Sequence, residues 1–280
     1  METYALRSFE EKCLDYRLVL FEVGCHSVVW ECFGVVLHKY FPHFSPSTVQ
    51  TFNENFSVEQ ALTSIPTCAA HDRANQHALL TVLKTWALFA RKNNLQYWIC
   101  YVTLIGYVQR GGLLPHDRDV DVSIMGQDTS QLVALASLIN SNLISLDSNI
   151  YKLTVHPQWY IVGWFTRSYF RLQGSNFVAP NARFIHRKTD AYVEIWPVYN
   201  YHPGQSENST NTSSILSEYD GNYEWKSYAR NWTFPLNPCK FSGIQVWCPA
   251  QPRELVAAFY GRSAVYKSDT SCVNGTWRSN

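Results

Sequence analysis

YWICYVTLIGYVQRGGLLPHDRDVDVSIM, residues 97–125, is the stretch from which the fold is read. It opens on an apolar, strand-like run from Tyr97 to Tyr101. A short segment holding Thr103 and Gly106 follows, then a turn at Gly111 and Gly112. The end of the stretch, Asp119 to Ile124, alternates strictly. Asp119, Asp121 and Ser123 share one face; Val120, Val122 and Ile124 share the other. Strand side chains alternate with period two, which sets Asp119 and Asp121 on one side, about 7 Å apart at Cα. Two neighbouring carboxylates repel each other unless a cation stands between them, and a divalent metal suits their hard oxygens. An acidic turn in solvent is the alternative for the D-x-D alone. The apolar opposite face argues for a strand packed on one side.

Outward from this stretch the patterns are helix and strand in alternation. Upstream, Asp72 reads as a helix N-cap. Leu79, Val82, Leu83, Trp86, Phe89 and Ala90 then fall on one helical face, ending near Lys92–Asn94. Downstream, a helix starts near Asp128 or Thr129, burying Leu132, Leu135, Ala136 and Ile139. Residues 143–171 read as strands, rich in aromatic and β-branched side chains. A second alternating strand follows at Tyr192–Pro197, where Glu194 is a lone acid among apolar residues. Alone, such an acid reads as an exposed charge on an edge strand. Residues 202–222 read as a long polar loop or lid. A short helix, with Pro252 at its first position and Gly261 after its end, closes the ordered part. This order of elements predicts an α+β fold with a small mixed sheet flanked by helices. The expected division is an N-terminal extension or stem over 1–67, a catalytic domain over 68–265 and a C-terminal tail over 266–280.

Composition narrows the partners. A formal net charge of +1 leaves no electrostatic footprint for nucleic acid. Cys239 and Cys248 flank Ser242-Gly243, which can turn a hairpin and bring the two thiols together. No cysteine and histidine spacing fits a structural zinc. Sequons begin at Asn55, Asn208, Asn211, Asn231 and Asn274, and this set favours the secretory pathway as glycan sites. Against that, the start of the chain carries no signal peptide, and the apolar stretch 18–37 holds Glu22, His26 and Glu31, which speaks against a membrane span. The expectation is a membrane anchor missing from this chain, or a protein outside the secretory route.

The acids allow three chemistries. An EF-hand is excluded, because the glycine position of the loop is Val122 and its final glutamate is Asp128. A glycosidase pair, Asp121 with Glu194, leaves the glycine-rich preamble unexplained. Metal-dependent transfer from a nucleotide donor uses two acids from one strand and one from another. It also uses small residues upstream where backbone N–H groups approach phosphate.

TLIGYVQRGGLLPHDRDVDVSI resembles the signature of the LicD/fukutin-related phosphotransferase family. VEIWPVY resembles its second acidic strand, and FSGIQVWCPAQPRELVAAFYG its terminal block. The three blocks stand in order across Leu79 to Gly261, and 193–199 with 117–121 look most like the fukutin-related branch, which is Golgi-resident. The resemblance implies a nucleotidyltransferase-type fold. It implies transfer of a phospho-alditol (ribitol phosphate-like) or phosphocholine group from a CDP-linked donor onto a glycan or glycoprotein acceptor. By the same resemblance Asp119, Asp121 and Glu194 would be the catalytic and metal-binding carboxylates for Mg²⁺ or Mn²⁺. Thr103, Gly106 and Arg110 would bind the donor, with Arg110 otherwise a brace for the acidic strand. Asp117 would stand behind the ligands, supporting them. The pattern departs from the family at Val102 (glycine in the family), at His116 (tryptophan) and at Glu194 (aspartate). Those departures frame the alternative, an inactive relative that binds a glycan or a partner glycosyltransferase.

Overall fold

The amphipathic pattern of residues 79–90 becomes the spine of the domain. In a computed structural model, described over residues 56–140, 146–157, 159, 180–200, 214–219, 225–268 and 270–279, it lies in helix α2, Asp72–Lys92. A short helix α1, Val58–Leu62, precedes it. All described residues fall within one compact unit, Phe52–Asn280. The cap differs from the expectation by one residue: His71 is the N-cap, and Asp72 turns its carboxylate back to accept the N–H groups of Cys68 and Ala69 at 2.6 and 2.8 Å. Leu79, Leu80, Val82, Leu83 and Trp86 are fully buried, each stabilising the fold by roughly 1.5–3 kcal/mol of burial.

The sheet in front of this helix has five strands in the order β1-β2-β5-β4-β3. These are β1 Trp98–Ile99, β2 Val120–Met125, β3 Tyr151–Val155, β4 Ala182–His186 and β5 Tyr192–Val198. Helix α3, Tyr101–Arg110, links β1 to β2, and α4, Thr129–Asn140, leaves β2. Strands β2 and β5 run parallel; the other neighbours are antiparallel. The expected α+β architecture, a mixed sheet flanked by helices, is what the chain adopts.

Register turns sequence alternation into two faces. Val120, Val193, Phe184 and Leu153 line up across four strands as one apolar row, all at most 2% exposed. Phe184 meets Trp86 of α2 at 5.7 Å between rings, so this row faces the spine helix. The next row runs Asp121, Glu194, Arg183, Thr154 and lies on the opposite face. A slip of one residue would exchange the rows and bury the charges against α2, which pins the register. Strand β5 is central, between β2 and β4, so Glu194 is not an edge-strand charge.

Beyond the sheet, hairpin β6–β7 (Ile215–Tyr219 and Trp225–Ala229) continues from the end of β5 through the bridge Tyr199–Ser217. The expected loop over 202–222 is therefore a strand in part: Ile215 and Leu216 to Tyr219 pair with β7, and the rest of that loop lies largely outside the described residues. Hairpin β8–β9 (Asn237–Phe241 and Ile244–Cys248) turns at Ser242-Gly243, both at positive φ, and carries the Cys239–Cys248 disulfide that its spacing allowed. Helix α5, Pro252–Tyr260, has Pro252 in its first turn and Gly261 after its end, as the sequence pattern predicts. A last hairpin, β10–β11 (Thr270–Val273 and Thr276–Ser279), is tied to the start of α2 by a Cys68–Cys272 disulfide and by Trp277 Nε1 donating to Asp72 Oδ2 at 2.9 Å. The strands expected over 160–171 and the stretch 18–37 lie outside the described residues.

Candidate metal centre

Asp121 stands in β2 directly beside Glu194 in β5, and Asp119 lies just before β2. One carboxylate oxygen from each of the three lies within 4.8 Å of the others. Six ligands about 2.1 Å from a small divalent ion stand up to about 4.2 Å apart, so the group needs only a slight side-chain closure. The donors are all oxygen, the set that hard cations prefer. Asp121 and Glu194 are 6% and 7% exposed, which is why their mutual repulsion is not relieved by water.

Each acid is held. The backbone N–H of Asp121 donates to Thr103 Oγ1 at 2.8 Å, and its carbonyl accepts from Cys100 N–H at 3.2 Å. Trp196 Nε1 donates to Asp121 Oδ1 at 3.1 Å. Arg183, Glu194's neighbour on β4, donates from Nε and Nη2 to Glu194 Oε1 at 3.0 and 2.5 Å, leaving Oε2 for a cation. The Arg183 guanidinium also sits 4.8 Å over the Tyr192 ring, which fixes its plane.

The electrostatics follow from this crowding. Burial raises the Asp121 carboxyl well above its ordinary range, and Asp119, Glu194 and Asp117 push it further. Burial also raises Asp119 and Glu194, with Arg183 opposing in both. Burial and then Asp119 push Asp117 up to about 7. Three carboxylates and the guanidinium of Arg183 sum to a charge of −2 when all are ionised, the complement of one divalent cation.

The remaining residues singled out in the sequence occupy other positions. Thr103 is fully buried and its hydroxyl serves Asp121. Gly106 lies in α3 against the following loop: a Cβ there would meet the Gly112 carbonyl at 2.5 Å. Gly112 in turn packs on Ser242, whose Oγ stands where a Cβ would have to go, so the glycines bring a helix, a loop and the β8–β9 turn together. Arg110 donates from Nη2 to the Ser64 carbonyl at 2.9 Å and braces α3, not the acids. Asp117 is 7% exposed, its Oδ2 has no partner among the described residues, and its carbonyl accepts from Asn75 Nδ2 at 2.8 Å. Among the five sequon asparagines Asn231 and Asn274 are exposed; Asn55, Asn208 and Asn211 lie outside the described residues. Sequence reading missed Arg183, whose place beside Glu194 follows from the β4–β5 register and from no local motif.

Residues 94–251, more than half of the chain, match the family described as LicD/FKTN/FKRP, nucleotidyltransferase domain. The chain belongs to the LicD family. The matched span runs from just before β1 to the start of α5 and contains Asp119, Asp121, Arg183 and Glu194. LicD membership points to phosphotransferase-type chemistry and gives the acidic cluster a setting in which a metal ion is useful. Two curated relatives share short segments. An uncharacterized protein of Rickettsia prowazekii (strain Madrid E) is 38% identical over 55 residues, 20% of this chain and 21% of its own. An uncharacterized protein of Rickettsia typhi (strain ATCC VR-144 / Wilmington) is 39% identical over 51 residues, 18% of this chain and 16% of its own. The LicD chain thus spans about a fifth of the length of the curated relatives it matches.

Proposed function

We propose that the protein is a metal-dependent phosphotransferase that moves a phospho-alditol or phosphocholine group from a CDP-linked donor onto a glycan, nearest in kind to the fukutin-related branch of its family. The observation that carries this reading is the side-by-side placement of Asp121 and Glu194 across a parallel strand pair, with Asp119 just before β2 close to both. Asp119, Asp121 and Glu194 would hold Mg²⁺ or Mn²⁺. When bound, that ion supplies charge neutralisation for phosphate oxygens. Arg183 fixes the Glu194 carboxylate in place and balances part of the negative charge. Trp196 holds the Asp121 carboxylate and Thr103 holds its backbone N–H. Two disulfides, Cys68–Cys272 and Cys239–Cys248, support an oxidising compartment such as the Golgi lumen.

The second reading, a non-catalytic relative that binds a glycan or a partner enzyme, draws on Arg183. A guanidinium already on Glu194 Oε1 competes with a cation for that carboxylate. A panel of CDP-ribitol, CDP-glycerol and CDP-choline, assayed with Mn²⁺ and a glycan acceptor, separates the two. Transfer from one donor that is lost in Asp121→Asn supports the enzyme. Absence of CMP release and of CDP protection across the panel supports the binding relative.

A further inference from the structure

Tyr101 is the first residue of α3 and holds φ at 44°, the left-handed region in which a bulky L-residue crowds its own backbone. Such a conformation persists where neighbours hold it. Here the phenol donates to Oε2 of Glu218 at 2.6 Å. Glu218 lies on β6, is 4% exposed and also hydrogen-bonds Tyr228 of β7. The Tyr101 ring meets the Trp196 indole edge-on, with centroids 5.4 Å apart and planes at 87°, and meets Phe259 of α5 at 6.1 Å. These contacts surround one residue. Cys100, just before Tyr101, donates its N–H to the Asp121 carbonyl; Thr103, two residues after it, accepts the Asp121 N–H; Trp196, packed on its ring, donates to the Asp121 carboxylate.

We propose that Glu218 and Tyr101 form a latch that positions Asp121 for its cation. Glu218 fixes the phenol. The phenol fixes the left-handed residue Tyr101, between Cys100 and Thr103, and the Trp196 indole. Those two elements set the backbone and the carboxylate of Asp121. Tyr101 and Glu218 are positioning residues and touch neither ion nor donor. The latch makes hairpin β6–β7, which carries none of the three acids, part of the machinery of the site. It rests on the reading of Asp121 as a metal ligand.

Tyr101→Phe removes only the hydroxyl, Glu218→Ala removes the acceptor, and Glu218→Gln keeps an oxygen for the phenol. The test is Mn²⁺ binding followed by electron paramagnetic resonance on the full chain, with hydrogen exchange of the Cys100 and Asp121 amides as a second readout and Asp121→Asn as control. Tyr101→Phe and Glu218→Ala each weaken Mn²⁺ binding about tenfold, the loss usual for a residue that orients a ligand. Their double variant loses no more than either alone, because one latch is broken once, and Glu218→Gln stays within about twofold of wild type. A merely structural role would lower the melting temperature and leave Mn²⁺ affinity of the folded protein unchanged. If Asp121→Asn loses Mn²⁺ while Tyr101→Phe and Glu218→Ala bind as wild type, the latch is overturned and the metal site stands. If Asp121→Asn still binds, the metal reading falls. The latch then loses its cation, and exchange decides what is left: faster Asp121 and Cys100 amides in Tyr101→Phe show that Glu218 and Tyr101 still set the Asp121 backbone, and unchanged amides overturn the latch altogether.

Discussion

Asp121 and Glu194 are register partners across the parallel pair β2–β5, two buried carboxylates side by side on one face of the sheet. Asp119 adds a third oxygen ligand, and Arg183 is the cation bonded to Glu194. Without a divalent ion this arrangement opposes folding, because burial and like charge both disfavour the ionised acids.

Removing one charge should therefore stabilise the metal-free protein. Asp121→Asn keeps an oxygen for Trp196 Nε1 and deletes the repulsion toward Asp119 and Glu194. At pH 8 with chelator present, its melting temperature should rise by about 2–4 °C, corresponding to roughly 1 kcal/mol. A thermal melt checks this; a lower melting temperature would mean that Asp121 is not under repulsion.

Asp117 sets a pH dependence. Its folded pKa is raised from 3.8 to about 7, so the folded chain binds that proton more tightly than the unfolded chain does. Stability is then greatest below the unfolded value and is lost as pH rises through the window from about 4 to about 7. Metal-free protein should melt at a lower temperature at pH 7.5 than at pH 5, and Asp117→Asn should flatten that slope. An unchanged slope in the variant would assign the effect to another group.

Thr103 is a structural support of the acidic strand. Thr103→Val keeps the shape and removes the acceptor for the buried Asp121 N–H. The expected cost is about 1–3 kcal/mol in chemical denaturation, the penalty for an unsatisfied buried donor. A loss of donor affinity with no loss of stability would point instead to a direct role at the donor phosphates.

The Cys68–Cys272 disulfide joins residues 204 apart in the chain and anchors hairpin β10–β11 beside Asp72. Replacing both cysteines with serine should destabilise the fold by roughly 2–5 kcal/mol. Limited proteolysis should then cut the released hairpin before the sheet. Equal stability and equal resistance would show that Trp277 and its contacts suffice.

Local patterns were the ones legible in the sequence. The alternation of residues 119–124 foretold which side chains share a face, with Asp119 and Asp121 together; it predicted a strand packed on one side, whereas β2 is buried on both faces along its whole length. The Cys239–Cys248 pairing was legible because the two cysteines stand nine positions apart and a Ser-Gly turn closes that hairpin locally. The contacts that complete the site are non-local. Arg183 reaches Glu194 only through strand register, and Cys68 meets Cys272 across nearly the whole domain. Glu218 was hidden in a segment whose polarity reads as loop, because ILSEY gains its strand character from pairing with β7 and its burial from Tyr101 and Tyr228. Gly106 and Gly112 were legible as special positions, but their role in packing was not, since a glycine spacing does not say whether backbone or ligand comes close.

The most direct measurement of the central claim is Mn²⁺ stoichiometry and affinity, by isothermal titration, for wild type, Asp119→Asn, Asp121→Asn and Glu194→Gln. The three acids acting as one site predict a single Mn²⁺ per wild-type chain and a loss of about 100-fold or more in affinity in each variant, with circular dichroism unchanged. Equal Mn²⁺ binding by wild type and all three variants would contradict it.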